Sequence, residues 1–223
     1  MDIGGQHARL RAAVVGAVIG TAMAMTGCQQ APDGAAKTRA GASEEIRGMA
    51  AAAGRSGAAC VFVKPDGAQR FGHVGWGFQV TGTRTWVYGA VENPSGRLYT
   101  PPGGDIGAWH AEGSYARMLS DMSRDAHYPG RSAHPYRRYR CTPSSTSDVT
   151  AARRMIRTVE ARGFLVGVDP KTGELTSRDC PDATYDVLKA YRTRRLTPAA
   201  EPAVPNVWVE SLVGWPDRRL TPR

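Results

Sequence analysis

One stretch restricts the fold more than any other: Arg178-Asp179-Cys180-Pro181-Asp182-Ala183-Thr184-Tyr185-Asp186-Val187-Leu188. It reads as a loop running into a helix, with a cysteine at the entry. Proline is tolerated in a first helical turn, where its missing N–H has no partner to lose, so Pro181 opens the helix and Cys180 sits at the cap. Ala183, Val187, Leu188 and Tyr191 then recur at helical spacing and give the helix one apolar face. A thiol at that end meets unpaired backbone N–H groups and the positive end of the helix dipole, and both favour thiolate. A buried structural cysteine is the plain alternative. Against it stands an upstream stretch, Phe71-Gly72-His73-Val74-Gly75-Trp76-Gly77-Phe78, which offers a histidine.

The rest of the chain predicts a sheet before the helices. Residues 58–63 are a β-rich run stopped by Pro65-Asp66-Gly67, and residues 72–80 and 85–92 follow as second and third strands of an antiparallel meander. Glycines 72, 75 and 77 flank His73 in the second strand and leave backbone open to close approach beside the imidazole. A Gly/Pro-rich loop covers residues 99–107. Trp109-His110 then leads to a short helix in which Tyr115, Met118, Leu119 and Met122 share a face. His127 and His134 lack the spacing of a zinc site, so no metal is expected. Residues 136–141 alternate as a strand whose Arg137, Arg138 and Arg140 read as a solvated face. A helix capped within residues 144–147 runs to Arg162, buries Ala152, Met155, Ile156 and Val159, and stops at Gly163. Residues 164–168 are a short apolar strand, and the turn 169–173 leads to the Cys180 helix. After a Pro/Ala-rich stretch, Pro205-Asn206-Val207-Trp208 supplies an aromatic anchor that packs back on the domain.

The compartment is read from the other end. Arg9 and Arg11 precede an uncharged run over residues 12–27, shorter than the roughly 20 residues a spanning helix needs and suited to a signal-peptide core. It closes on Met25-Thr26-Gly27-Cys28, which resembles a bacterial lipobox with methionine where that pattern prefers leucine. The resemblance implies a signal peptide over 1–27, a lipid on Cys28 (palmitate among its chains) and a domain held at the cell membrane of a bacterium, outside the cytoplasm. A plain secretory signal implies the same compartment. Residues 28–56 are small and polar and read as a tether, leaving 57–223 as the folded domain. With 41% hydrophobic and 22% charged residues in a chain of 223, one globular domain plus tails is the ordinary outcome. The net charge of +9 suits an anionic neighbour. Outside the cytoplasm that neighbour is headgroup or cell-wall polymer, and no nucleic-acid partner is expected.

The order of parts carries a second resemblance. The strand with His73 precedes the helix with Cys180, the reverse of the standard papain arrangement. Gly72-His73-Val74-Gly75 at a strand start and Asp179-Cys180-Pro181-Asp182-Ala183-Thr184-Tyr185 at a helix start resemble the circularly permuted branch of the NlpC-like papain fold. Lecithin retinol acyltransferase-like proteins and YiiX-like hydrolases belong to that branch. The resemblance spans roughly residues 58–195 and implies an α+β fold, an antiparallel sheet packed with helices. It implies a thiol-protease-like hydrolase or acyltransferase acting on an amide or ester, without a cofactor. Cys180 would be nucleophile, His73 general base, and Glu92, with Asn93 behind it, the group that orients the imidazole. The acyltransferase relatives have asparagine before the cysteine, where this chain has Asp179. Cell-wall peptides or acyl lipids are the substrates that the anchor would put within reach. With Cys28 lipidated, a disulfide between Cys60 and Cys141 would leave Cys180 free. No Gly-x-Ser-x-Gly elbow, Walker loop or His-Glu-x-x-His helix offers another chemistry. The rival expectation is a catalytically inactive surface lipoprotein that serves as a binding module, and a third is an unrelated α+β domain.

Overall fold

Three consecutive strands set the frame of the computed structural model: β1 (Gly57–Lys64), β2 (His73–Gln79) and β3 (Thr85–Val91). Residues 57–93, 96–104, 106–128, 134–200 and 203–221 are described, all within the unit Gly41–Arg223. The signal segment 1–27, Cys28 and the tether 28–56 lie outside the described residues. Among those that are described, no helix is long and apolar enough to cross a membrane.

The meander is antiparallel, with Val61 opposite Trp76 and Trp76 opposite Gly89. Strand β5 (Ala108–Ser114) pairs with β3, β6 (Arg138–Ser144) with β1, and β9 (Asp217–Arg219) with β6. The result is a six-stranded antiparallel sheet in the order β5-β3-β2-β1-β6-β9. A smaller sheet, β4 (Tyr99–Thr100), β7 (Phe164–Val168) and β8 (Leu175–Arg178), stands apart in the order β4-β7-β8.

Helices cover both faces of the large sheet, which is why β1 and β2 are buried at every position. Val61, Val63, Val74, Trp76 and Phe78 form one core with α2 (Val149–Ala161), α3 (Cys180–Ala190) and α4 (Pro205–Glu210). Cys60, Phe62, Tyr88, Tyr136 and Tyr139 form the other with α1 (Tyr115–Arg124). Successive side chains of a strand point to opposite faces, so a strand covered twice is apolar throughout rather than alternating. The protein is thus mixed α+β, an antiparallel sheet packed against helices. A disulfide joins Cys60 to Cys141, direct partners in the β1–β6 register, and Cys180 is free.

The helix starts follow their caps. Ser114 accepts from Arg117 N at α1, and Asp148, not a residue of 144–147, accepts from Ala151 N at α2. Gly163, with φ +82°, takes the chain out of α2 as expected of a C-terminal glycine. Trp109 and His110 belong to β5 rather than to the approach of a helix. The arginines of β6 are not a solvated face. Arg140 is buried, gives Nη1 to the Val209 carbonyl at 3.0 Å and pairs with Glu210, while Arg138 bridges Glu210 and Asp217. Trp208 is buried and donates Nε1 to the Thr197 carbonyl at 3.0 Å, which ties residues 205–210 to the domain.

Candidate active site

The three residues that matter most arrive by register. Lys64, last in β1, is the direct partner of His73, first in β2. Continuing the β2–β3 pairing past Gly75–Ala90 sets Glu92 opposite His73. Lys64, His73 and Glu92 therefore form a row across three strands at one end of the sheet. His73 Nε2 lies 3.0 Å from Glu92 Oε2. The geometry falls short of a hydrogen bond, so the two groups are in close polar contact without one. Glu92 is 2% exposed, and its carboxylate is fully engaged. Lys64 Nζ donates to both oxygens at 3.1 Å, and Tyr136 Oη donates to Oε1 at 3.0 Å.

Burial alone would raise the Glu92 carboxyl, but the charges of His73 and then Lys64 outweigh it and hold it at about 2. For a depressed carboxylate the stabilisation is complete above the unfolded value, about 4.3, and is lost as pH falls through the folded one. Glu92 thus remains charged throughout the neutral range.

The turn before His73 is strained and clasped. Ala68, Gln69 and Arg70 all have left-handed backbone, with φ of 45°, 56° and 74°, and Gly72 follows at 93°. Such conformations persist in non-glycine residues only where the surroundings impose them. Asn206, from α4, imposes this one: its N–H donates to Phe71 O, and Nδ2 donates to Pro65 O and Arg70 O at 3.0 and 3.1 Å. A Cβ on Gly72 would come within 2.3 Å of Asn206 Oδ1, so the clasp requires glycine there.

Cys180 comes from the other face of the sheet. It is the first residue of α3 and Pro181 the second, with Asp179 as N-cap, one residue earlier than the sequence suggests. Asp179 and Asp182 form a reciprocal capping box, and Ser177 Oγ donates to Asp182 Oδ2 at 2.5 Å. The buried face is the one expected, with Ala183, Val187, Leu188 and Tyr191 all in the core. Its first turn packs on β2, and the backbone N–H of Val74, the residue after His73, reaches the sulfur. Among the described residues no hydrogen bond joins the thiol to the imidazole.

The expectation of a ready thiolate is overturned. Burial, and then the charge of Asp179, push the Cys180 thiol well above its ordinary value, with Glu92 adding to the effect. The N–H groups of Val74 and of Cys180 itself pull the other way but do not prevail. The residue is only 7% exposed, so desolvation dominates over the helix terminus. Asp179 itself is raised, first by burial and then by Asp182 beside it.

A raised carboxyl keeps its proton in the folded protein after the unfolded chain has lost it. Its stabilisation is complete below about pH 4 and declines as pH rises toward the folded value. An asparagine in place of Asp179 would cap as well as aspartate does but would carry no charge. Asp179→Asn is expected to flatten the loss of stability between pH 5 and pH 8, measured as urea midpoints. Equal slopes in the two proteins would refute the assignment.

The sequence-derived set is partly assembled. His73 and Glu92 touch on the face of Lys64, Cys180 packs beside Val74 on the opposite face and does not meet the imidazole, and Asn93 turns away, its Nδ2 donating to Arg97 O at 2.7 Å. Lys64, Asp125 and Tyr136 were not anticipated. The one available signal was parity, since Lys64 continues the buried face of Cys60 and Phe62. Among the described residues no group of three or more His, Cys, Asp or Glu is placed to hold a metal. His127 sits instead on Asp121 and stacks on Trp109. Compared with family models, curated proteins and solved structures, the chain matches none.

Proposed function

We propose that this protein is a thiol hydrolase or acyltransferase with a permuted papain-like order, acting on an amide or ester bond. Cys180 is its nucleophile, His73 its general base and Glu92 the group that orients the imidazole. One observation supports the reading: the sulfur at the start of α3 lies by the Val74 N–H, and the preceding residue, first in β2, is a histidine on the opposite face whose Nε2 lies 3.0 Å from a buried carboxylate. His73 shares its sheet face with Lys64 while Cys180 packs on the other, so the imidazole must swing round the end of β2 before Nδ1 meets the thiol. The lipobox-like Cys28 puts the domain at the outer side of a bacterial membrane, and cell-wall peptides or acyl lipids are the substrates within its reach.

The raised thiol sets the order of events. Nδ1 takes the S–H proton as sulfur bonds to the substrate carbonyl carbon, so thiolate need not exist beforehand. The Cys180 N–H at the helix start is a donor for the resulting oxyanion. The imidazolium then protonates the leaving amine or alcohol as the C–N or C–O bond breaks, leaving a thioester. Water, or an acyl acceptor, gives its proton to His73 and releases Cys180. Catalytic contacts of unliganded proteins commonly tighten when substrate binds, and here the step asked of the imidazole is larger, a turn from one face of the sheet to the other.

Alkylation of the native full chain by iodoacetamide from pH 5 to 10, mapped by mass spectrometry, tests the pair. Cys180 is expected to react in the folded state, and His73→Ala to slow it and move its profile to higher pH. A thiol inert short of unfolding, or indifferent to His73→Ala, would leave the inactive binding module as the reading.

A further inference from the structure

We infer that Lys64 is a positioning residue for the His73–Glu92 pair, with Asp125 as its own anchor. The inference rests on the proposed roles of those two residues. Lys64 is 3% exposed, and its ammonium lies 3.1 Å from both Glu92 oxygens and 2.7 Å from Asp125 Oδ2. The Tyr128 and Tyr136 rings each stand 4.6 Å from Nζ. A lysine sunk to this depth loses its hydration, which costs several kcal/mol unless partners replace it. An apolar side chain would fill the space without that cost, so packing does not explain the choice.

Position does. Lys64 is the neighbour of His73 in the ladder, yet its charge is directed one strand further on, at Glu92. By gripping both oxygens it fixes the plane of the carboxylate, and Tyr136 Oη adds a third donor on Oε1. Oε2 is thereby presented to the imidazole. Asp125 holds the ammonium from the other side. It ends α1 in a left-handed conformation, φ 53°, which aspartate tolerates better than most residues.

The charges also add up. Glu92 and Asp125 against Lys64 leave one negative charge in the cluster. When His73 accepts the thiol proton, two cations face two anions and the buried group becomes neutral. Without Lys64, burial would act on Glu92 with one fewer opposing charge, and the carboxylate would hold its proton to higher pH. The groups around it would then be His73 from β2, Asp125 from the end of α1, Tyr136 from the approach to β6, and Cys180 from α3, of which only the imidazole can be a cation.

The test uses the full chain, Lys64→Met, Lys64→Gln and Asp125→Asn, with two readouts that a packing role would not move. The first is the titration of Glu92, followed by carbon-13 NMR of the glutamate carboxyls. The second is the pH profile of Cys180 alkylation by iodoacetamide. In Lys64→Met the Glu92 titration is expected to rise by about one pH unit or more, and alkylation at pH 7 to slow about tenfold. Lys64→Gln should move both in the same direction and decides the matter if Lys64→Met does not fold, whereas Asp125→Asn, which removes an anion beside the same ammonium, should leave the Glu92 titration no higher than in the parent. An unchanged Glu92 titration, with alkylation slowed only as far as the lower melting temperature accounts for, would make Lys64 a structural ion and overturn the inference. His73→Ala in the parent background separates the two proposals. If it leaves alkylation unchanged the catalytic reading fails, whereas a normal His73 effect with no Lys64 effect removes Lys64 alone.

Discussion

Hydrolysis of p-nitrophenyl acetate by a His73→Ala variant is expected to fall about 10²–10⁴-fold below that of the parent, the usual contribution of a positioned general base. Cys180→Ala should fall to the background of the ester in buffer. The physical reason for so large a dependence on the histidine is the raised thiol. A nucleophile that already stood as thiolate would keep much of its rate without a base, whereas a buried, protonated one has nowhere to send its proton. Removing the imidazole leaves Glu92 with its donors from Lys64 and Tyr136, so the fold has reason to survive, which circular dichroism checks. Parent-like hydrolysis by His73→Ala, with Cys180→Ala inactive, would assign proton transfer to another group. Hydrolysis that survives both variants would place the chemistry elsewhere in the molecule.

The second large effect concerns stability. Replacing Cys60 and Cys141 together by alanine is expected to cost about 4 kcal/mol, because the bridge closes a loop whose ends are 81 residues apart and so restricts the unfolded chain. Against a typical total of about 5–15 kcal/mol that is a large share. With a urea slope of about 2 kcal/mol/M the midpoint should drop by about 2 M. The bridge spans β1 and β6, next to the β1–β2 ladder that carries His73, so dithiothreitol should reproduce the loss in the parent and do nothing further to the double variant. A double variant with an unchanged midpoint would mean that pairing and packing alone hold these strands.

Much of the framework was legible because its elements obey one period each. The first three strands are apolar runs bounded by turn residues, and α2 and α3 carry clean helical stripes that the core takes up as expected. Strand β8 was missed because Leu175-Thr176-Ser177-Arg178 is short and mostly polar, and it pairs with β7 at the margin rather than in the core. Strand β5 was missed because it is half-exposed along its length and has no apolar alternation to betray it. The Cys180 helix and the His73 strand stood out in the sequence because each carries its chemistry at a strand or helix end, but which sheet face each side chain takes was not written there. Glu92 could be guessed from antiparallel pairing alone. Lys64 and Asp125 could not, since a charged residue at the end of a strand or helix is normally solvated. Lys64 is covered by tyrosines 128 and 136, far along the chain from it. The state of the thiol was misjudged for a similar reason: a helix terminus is written in local sequence, whereas desolvation is decided by what packs on top.

The clasp on the turn before His73 has a consequence for the order in which a working molecule comes into being. A chain made from its first residue onward exposes residues 68–73 long before residue 206 exists. Until Asn206 arrives, three left-handed residues are held only by the turn's own backbone bonds, from Arg70 N and Gly72 N to Gly67 O and from Phe71 N to Ala68 O, without the clasp that offsets their strain. The turn that leads into His73 therefore receives its clasp only after residue 206 has been made. A copy cut short before α4 could carry both cysteine and histidine and still lack the geometry to use them. The distant asparagine thus serves as a seal of completion, set over the turn only once the chain has closed on itself.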